Sequence, residues 1–268
     1  MKRRQFLAST AAVALATISL ATACGGDTPT AEGEGATPSQ GTLTMATSAD
    51  YPPYESVDTS SGSEEIVGFD VDIARYITEQ LGYELEIVNM DFNGLIPALQ
   101  ANRADFVMAG MTPTEERLKN VDFSDIYYDA KQTIVFPAGA GIASPADLGG
   151  KTVGVQLGSI QEGLAQDLAE ADSTIELAPL NRINEMIQEL KSGRIDAAII
   201  EDTVAAGFLA NNPELESVVI PEEGPVGSAI AFPKDSPLVD EFNTVLAEME
   251  ASGKIEELIK QWFGDGAE

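Results

Sequence analysis

The chain of 268 residues has no histidine, one cysteine and few basic side chains, 15 against 44 acidic ones. Without histidine, neither a Ser–His–Asp or Cys–His triad nor a His-ligated zinc site can be assembled. A single cysteine excludes an internal disulfide and a CxxC pair. The formal charge of −29 repels phosphate backbones, which sets nucleic acid aside as a partner. What is present is 44% apolar residues, enough for a folded globule of one large or two smaller domains.

The first residues read as an address. Lys2, Arg3 and Arg4 precede a weakly apolar run over residues 6–23, too short and too rich in Ala, Ser and Thr for a stable membrane span. Small residues, Ala21-Thr22-Ala23, stand before Cys24, so residues 1–23 are expected to be a signal peptide. The position of Cys24 resembles a bacterial lipobox, which implies a lipidated N-terminal cysteine and a membrane anchor. Ala21 stands where the lipobox usually has Leu, and an ordinary A-x-A cleavage would cut at the same place. Arg3-Arg4-Gln5-Phe6-Leu7 resembles a twin-arginine export signal; an ordinary basic leader is the alternative. Losing residues 1–23 removes three positive charges and deepens −29 to −32. Residues 25–40 hold no large apolar side chain and read as a flexible tether, roughly 20–24 Å in r.m.s. span.

From Thr42 onward, strand-like and helix-like patterns alternate. Residues 43–47 and 83–88 read as strands and residues 69–81 as a helix, with Val71, Ile73, Ala74 and Ile77 near one face and Gly82 as a stop. Asn93 is placed to cap a helix over 94–101, ahead of a buried-type strand at 104–109. Helices are expected near 236–251 and 254–263. The alternation predicts an α/β fold with largely parallel sheets. Asn93, Ile96, Leu99, Arg103 and Asp105 recur as Asn184, Ile187, Leu190, Arg194 and Asp196, each 91 residues on. Two related α/β lobes follow from this repeat. Ligands of such sheets bind beyond the carboxyl ends of the strands, which would set residues 109–112 opposite 200–203.

Four segments are candidates for that cleft. Residues 48–54 carry Ser48, Asp50, Tyr51 and Tyr54 on a loop stiffened by Pro52-Pro53. Residues 110–117 bring Gly110, Thr112 as a helix cap ahead of Pro113, and Arg117, whose guanidinium offers two parallel donors to a carboxylate. The plainer role for Arg117 is a solvated pair with Glu115 or Glu116. Residues 157–161 form a strand-to-helix turn whose free N–H groups suit an anion. Glu201 and Asp202 follow the apolar run 197–200 and suit a cation; a helix N-terminal acid is the alternative.

Taken together, Tyr51-Pro52-Pro53-Tyr54-Glu55, Val67-Gly68-Phe69-Asp70-Val71-Asp72, residues 92–99, Met111-Thr112-Pro113-Thr114-Glu115-Glu116-Arg117, Phe123-Ser124-Asp125 and residues 193–198 resemble a known family. It is the family-3 group of polar-amino-acid solute-binding proteins of bacterial ABC transporters, and the likeness runs from about residue 43 to residue 263. The resemblance implies a two-lobed periplasmic-binding-protein-like fold of type II, with two hinge strands and the ligand cleft between the lobes. Lobe 1 would comprise 41–131 and 226–268, and lobe 2 would comprise 132–225. By position, Arg117 would hold the ligand α-carboxylate, helped by backbone N–H groups of Thr112 and of Ser159 or Ile160. Glu201, where the family usually has Asp, would meet the α-ammonium with the Thr112 hydroxyl and the Gly110 carbonyl. Tyr51 and Phe92 would wall the ligand side chain, with Phe69 a further wall.

For the ligand, Ser48 stands where some members that bind basic amino acids have Asp; Asp50 lies two residues on. Gln156 offers a hydrogen bond to a polar tail. Aromatic walls and the negative field favour a cation, so a basic amino acid is expected, arginine first and glutamine next. The resemblance also implies no cofactor or metal, and a monomer that hands its ligand to a membrane permease from the periplasm or cell surface. The rival from another class is a cyclohexadienyl-dehydratase-like enzyme on the same fold, with Glu201 as general acid. A third reading is a sensory module docking to a separate receptor.

Overall fold

The computed structural model describes residues 40–221 and 227–264. The expected signal peptide, and the tether up to residue 39 with Cys24, lie outside the described residues, as do residues 222–226, where lobe 2 is expected to end.

Strand β1 (Thr42–Thr47) leads into a small antiparallel sheet of β2 (Asp50–Tyr51), β3 (Glu55–Asp58) and β4 (Glu65–Val67). Helix α1 (Phe69–Gln80), β5 (Glu84–Asn89), α2 (Leu95–Gln100), β6 (Phe106–Val107) and β7 (Val121–Tyr128) follow. After residues 129–131 come β8 (Gln132–Pro137), β9 (Thr152–Gln156), α3 (Ile160–Ala171), β10 (Glu176–Leu180), α4 (Ile183–Ser192), β11 (Ala197–Glu201), α5 (Asp202–Asn211) and β12 (Leu215–Val219). Strand β13 (Ser228–Pro233) and helices α6 (Leu238–Ser252) and α7 (Lys254–Phe263) close the described chain.

Two five-stranded sheets result, in the orders β5-β1-β6-β13-β7 and β10-β9-β11-β8-β12. In each, three adjacent strands pair parallel, the fourth pairs antiparallel to them, and the fifth pairs antiparallel to the fourth and so runs with the first three. The fourth strand of each sheet lies outside its parallel run in the chain: β13 comes long after β6, and β8 comes before β9. The chain therefore passes between the sheets twice, once through residues 129–131 and once between β12 and β13. This is the expected two-lobed α/β architecture.

Local sequence explains most of the elements. Helix α4 buries Ile183, Met186, Ile187 and Leu190, a spacing that puts one apolar stripe toward the sheet, and it stops at Gly193 in the left-handed conformation, φ 70°. Strand β11 is buried along its whole length, as befits a strand covered on both faces. Gly68 is needed where β4 turns into α1: its φ is 149°, and an added Cβ would lie 2.0 Å from the Tyr54 carbonyl oxygen.

The internal repeat has a structural counterpart. The Asp105 Oδ2 accepts from Thr44 N at 2.7 Å, and Asp105 N donates to Thr44 O at 2.8 Å. The Asp196 Oδ2 accepts from Thr152 N at 2.8 Å, and Asp196 N donates to Thr152 O at 2.8 Å. Each aspartate thus ties the turn after its helix to the middle strand of its sheet's parallel run, β1 or β9. The caps differ from expectation. Neither Asn93 nor Asn184 caps a helix: Asn93 lies in a 3-10 turn (Phe92–Gly94) ahead of α2, and Asn184 is already inside α4.

Candidate ligand-binding site

The carboxyl ends of β1, β6, β9 and β11 converge, and the loops after them line a narrow cavity. Nine of the candidate residues meet there: Tyr51, Phe92, Gly110, Thr112, Arg117, Gln156, Ser159, Ile160 and Glu201. Ala109 and Gln161, which lie in the candidate segments but are assigned no role there, complete the lining. Both adjoin chosen residues, and neither carries a charge or a ring to draw attention.

Arg117 is nearly buried, at 9% exposure, and pairs with neither Glu115 nor Glu116. Its Nη1 donates to Thr112 O at 2.8 Å and its Nη2 to Gly158 O at 3.0 Å. The guanidinium carbon stands 5.5 Å from the Phe92 ring centroid, within cation–π range. A guanidinium has five N–H donors, so these two bonds leave others for a carboxylate. Burial lowers its pKa to about 10, and Arg117 stays a cation at neutral pH. The cap of its short helix differs from expectation. Arg117 N donates to the hydroxyl of Thr114 at 3.2 Å, and the 3-10 turn spans Arg117–Lys119, which leaves Thr112 on the cavity wall.

Glu201 ends β11 and stands at the N-cap position of α5. It is 5% exposed, and its Oε1 accepts from the Thr203 hydroxyl at 2.8 Å. Burial pushes its carboxyl up to about 7, which the hydroxyls of Tyr54 and Thr203 partly offset. Asp202 does not line the cavity; its Oδ1 accepts from Lys131 N at 3.1 Å and Thr203 N at 2.9 Å. Between the two charged residues, Ser159 caps α3. Its hydroxyl accepts from Glu162 N at 3.2 Å, while Ile160 and Gln161 present the helix start to the cavity. The first N–H groups of a helix have no partner within it and attract an anion. The Gln156 Nε2 donates to Asn181 O at 3.3 Å, and that of Gln161 to Gln132 Oε1 at 2.7 Å.

A second layer supports this wall. Gly110, at φ 54°, lies under Tyr51, where an added Cβ would be 3.2 Å from the ring. Its N–H donates to Asp70 Oδ2 at 2.9 Å, and the Tyr127 hydroxyl donates to Asp70 Oδ1 at 2.8 Å. Burial pushes Asp70 up to about 7. Glu55 is fully buried, with no hydrogen-bond partner for either carboxylate oxygen among the described residues, and burial raises it well above the usual range.

Four further candidates are elsewhere. Phe69 is in the core, packed edge-on against Phe263 at 5.0 Å and Tyr128 at 5.6 Å, because Gly68 turns the chain inward at the start of α1. Tyr54 joins that cluster, so the Pro52-Pro53 loop presents only Tyr51 to the cavity. Ser48 and Asp50 are buried beside the cavity rather than on its wall. The Ser48 hydroxyl donates to Asp50 Oδ1 at 3.0 Å, and Asp50 Oδ2 accepts from Ile183 N at 2.7 Å.

A cavity between two sheets, with a cation supplied from one side and a carboxylate from the other, defines a protein that binds a small solute in a cleft. Residues 43–265 match the model of the bacterial extracellular solute-binding proteins, family 3, and the chain belongs to that family. It is 51% identical to the arginine-binding extracellular protein ArtP of Bacillus subtilis over 223 residues, covering 82% of this chain and 86% of the relative. Among solved structures it resembles an ancestral arginine-binding protein bound to arginine, with TM-score 0.78 and 40% identity over 84% of this chain and 99% of that one. It also resembles an ancestral arginine-binding protein bound to glutamine, with TM-score 0.76 and 39% identity over the same shares, 84% and 99%. The family is one of solute-binding proteins, not enzymes, which sets the dehydratase reading aside. No helix among the described residues is long and apolar enough to cross a membrane.

Proposed function

We propose that the cleft closes on a single L-α-amino acid, arginine before others, and presents it to the permease of an ABC importer. The observation that carries this reading is the opposition of Arg117 and Glu201 across one cavity. An amino acid is a zwitterion, and burying it unpaired is very costly. Arg117 and the start of α3 neutralise its carboxylate; Glu201 neutralises its ammonium. Tyr51 and Phe92 then flank the side chain, and flat rings suit a guanidinium. The arginine-binding relatives support arginine; Gln156 and Gln161, together with the glutamine-bound neighbour, make glutamine the second ligand to test.

In this reading the lobes are 41–131 with 226–268, and 132–225. Arg117 belongs to the first and Glu201 to the second, so only the closed form holds both ends of the ligand, and ligand shifts the population toward closure. Residues 1–23 are removed on export, and lipid on Cys24 holds a monomer at the membrane through the 25–40 tether. Mass spectrometry of the mature N-terminus reads the anchor directly.

The test is a thermal-shift panel over all amino acids on protein stripped of ligand by unfolding and refolding. Ligand at one hundred times its Kd adds about 2.7 kcal/mol of stability. A shift with arginine that Arg117→Ala abolishes is the expected result. A shift with glutamine alone keeps the clamp and overturns the basic preference, and no shift with any amino acid overturns the function.

A further inference from the structure

Helix α4 carries no cap of its own. Its N-cap residue is Arg182, whose side chain makes no cap hydrogen bond, although the first N–H groups of a helix need partners. The partner comes from 133 residues away: Asp50 Oδ2, on β2 beside the first sheet, accepts from Ile183 N at 2.7 Å. The site is built for this contact. The Ser48 hydroxyl occupies the other carboxylate oxygen at 3.0 Å, and Ala49 N donates to Asn89 Oδ1 at 2.9 Å, which pins the loop. Asp50 is 4% exposed and does not line the cavity. A negative charge at a helix N-terminus is also favoured by the helix dipole. Next to it, Arg182 Nη2 meets Asp91 Oδ1 at 3.0 Å, again between an element of the first sheet's side and α4. Gly158 rests on Asn93, where an added Cβ would be 3.1 Å away.

We propose that Asp50 is a closure residue: its carboxylate caps a helix of the opposite lobe and, with the Asp91–Arg182 pair, latches the cleft shut whatever ligand it holds. Opening the cleft uncaps α4 and separates that ion pair, while no ligand atom takes part. The latch therefore acts on how long the closed form lasts, and equally for every ligand. A residue contacting the ligand side chain would instead change which ligand is preferred.

The experiment measures dissociation rates and Kd for arginine and glutamine on the mature protein and on Asp50→Ala, Asp50→Asn and Arg182→Ala. Losing an N-cap of this kind is expected to speed dissociation roughly two- to thirtyfold, by the same factor for both ligands. Asp50→Asn, whose amide oxygen still caps, should lie between Asp50→Ala and wild type. Arg182→Ala removes a half-exposed side chain, so it keeps the test alive should Asp50→Ala fail to fold; it is expected to give a smaller but equally uniform effect. A loss confined to arginine, or unchanged rates in all variants, overturns the latch. X-ray scattering of the ligand-free proteins separates this from the functional reading. If neither amino acid binds wild type, the proposed ligand fails, and the latch still stands or falls on whether Asp50→Ala and Arg182→Ala enlarge the radius of gyration.

Discussion

At the scale of single residues, the buried charges set the chemistry. Arg117 keeps its charge with two carbonyls as its partners, and a ligand carboxylate would be its first anionic one. Its planar fork is what a carboxylate matches, so Arg117→Lys should bind arginine poorly too, with affinity lost by roughly thirtyfold or more in calorimetry. Glu201, Asp70 and Glu55 are acids that burial holds protonated to unusually high pH. The folded chain therefore binds protons that the unfolded chain has released, and the contribution of these groups to stability falls as pH rises from about 4.5 to about 7. Charges facing Glu201 are Asp70 and Asp202, and a cationic ammonium would reverse their effect. Binding at pH 6 should thus expel a proton, up to about one per ligand, with affinity rising toward pH 7. Calorimetry in buffers of different ionisation enthalpy reads that proton; identical heats in all of them would remove Glu201 as the ammonium partner.

At the scale of elements, the repeated helix–turn–strand unit has repeated work to do. Asp105 and Asp196 each bond the backbone of the middle strand in their sheet's parallel run, at Thr44 and Thr152. Asp105 is half-buried and Asp196 exposed, so water competes unequally for the two. Asp105→Ala should cost about 1–2 kcal/mol in urea unfolding, and Asp196→Ala less than about 1 kcal/mol. Equal costs would mean that burial does not decide the matter. The unit was legible because all of its contacts are local or within one sheet. The asparagines were not: Asn93 and Asn184 have capping side chains, yet α2 and α4 begin elsewhere, because a neighbouring 3-10 turn and the trans-cleft Asp50 settle those ends.

At the scale of the whole molecule, −29 is a repulsion spread over the surface, and the described ion pairs are surface pairs worth little each. Screening acts over about 10 Å at 0.1 M salt. Ligand-free protein should therefore melt higher in 0.5 M than in 0.01 M sodium chloride, by roughly a few degrees. A lower melting temperature in salt would mean that the ion pairs outweigh the repulsion. The same field draws a cationic ligand toward the cleft and should make its association rate fall with salt.

The sequence by itself determined what depends on composition and short-range pattern. No histidine or second cysteine meant no chemistry of those kinds; alternating strands and helices meant sheets built around a parallel run; strand ends placed Tyr51, Thr112, Arg117, Ser159 and Glu201 where a ligand could sit. Tertiary structure alone decided which neighbours of those residues face the cavity. Tyr54 and Phe69 turned into an aromatic core, and Asp50 turned away from the cavity to a helix 133 residues on. The reason is physical. Periodicity records which face of an element is buried, and a strand end records where a loop must be. Nothing local to Asp50 records that a helix of the other lobe arrives there with an N–H to satisfy.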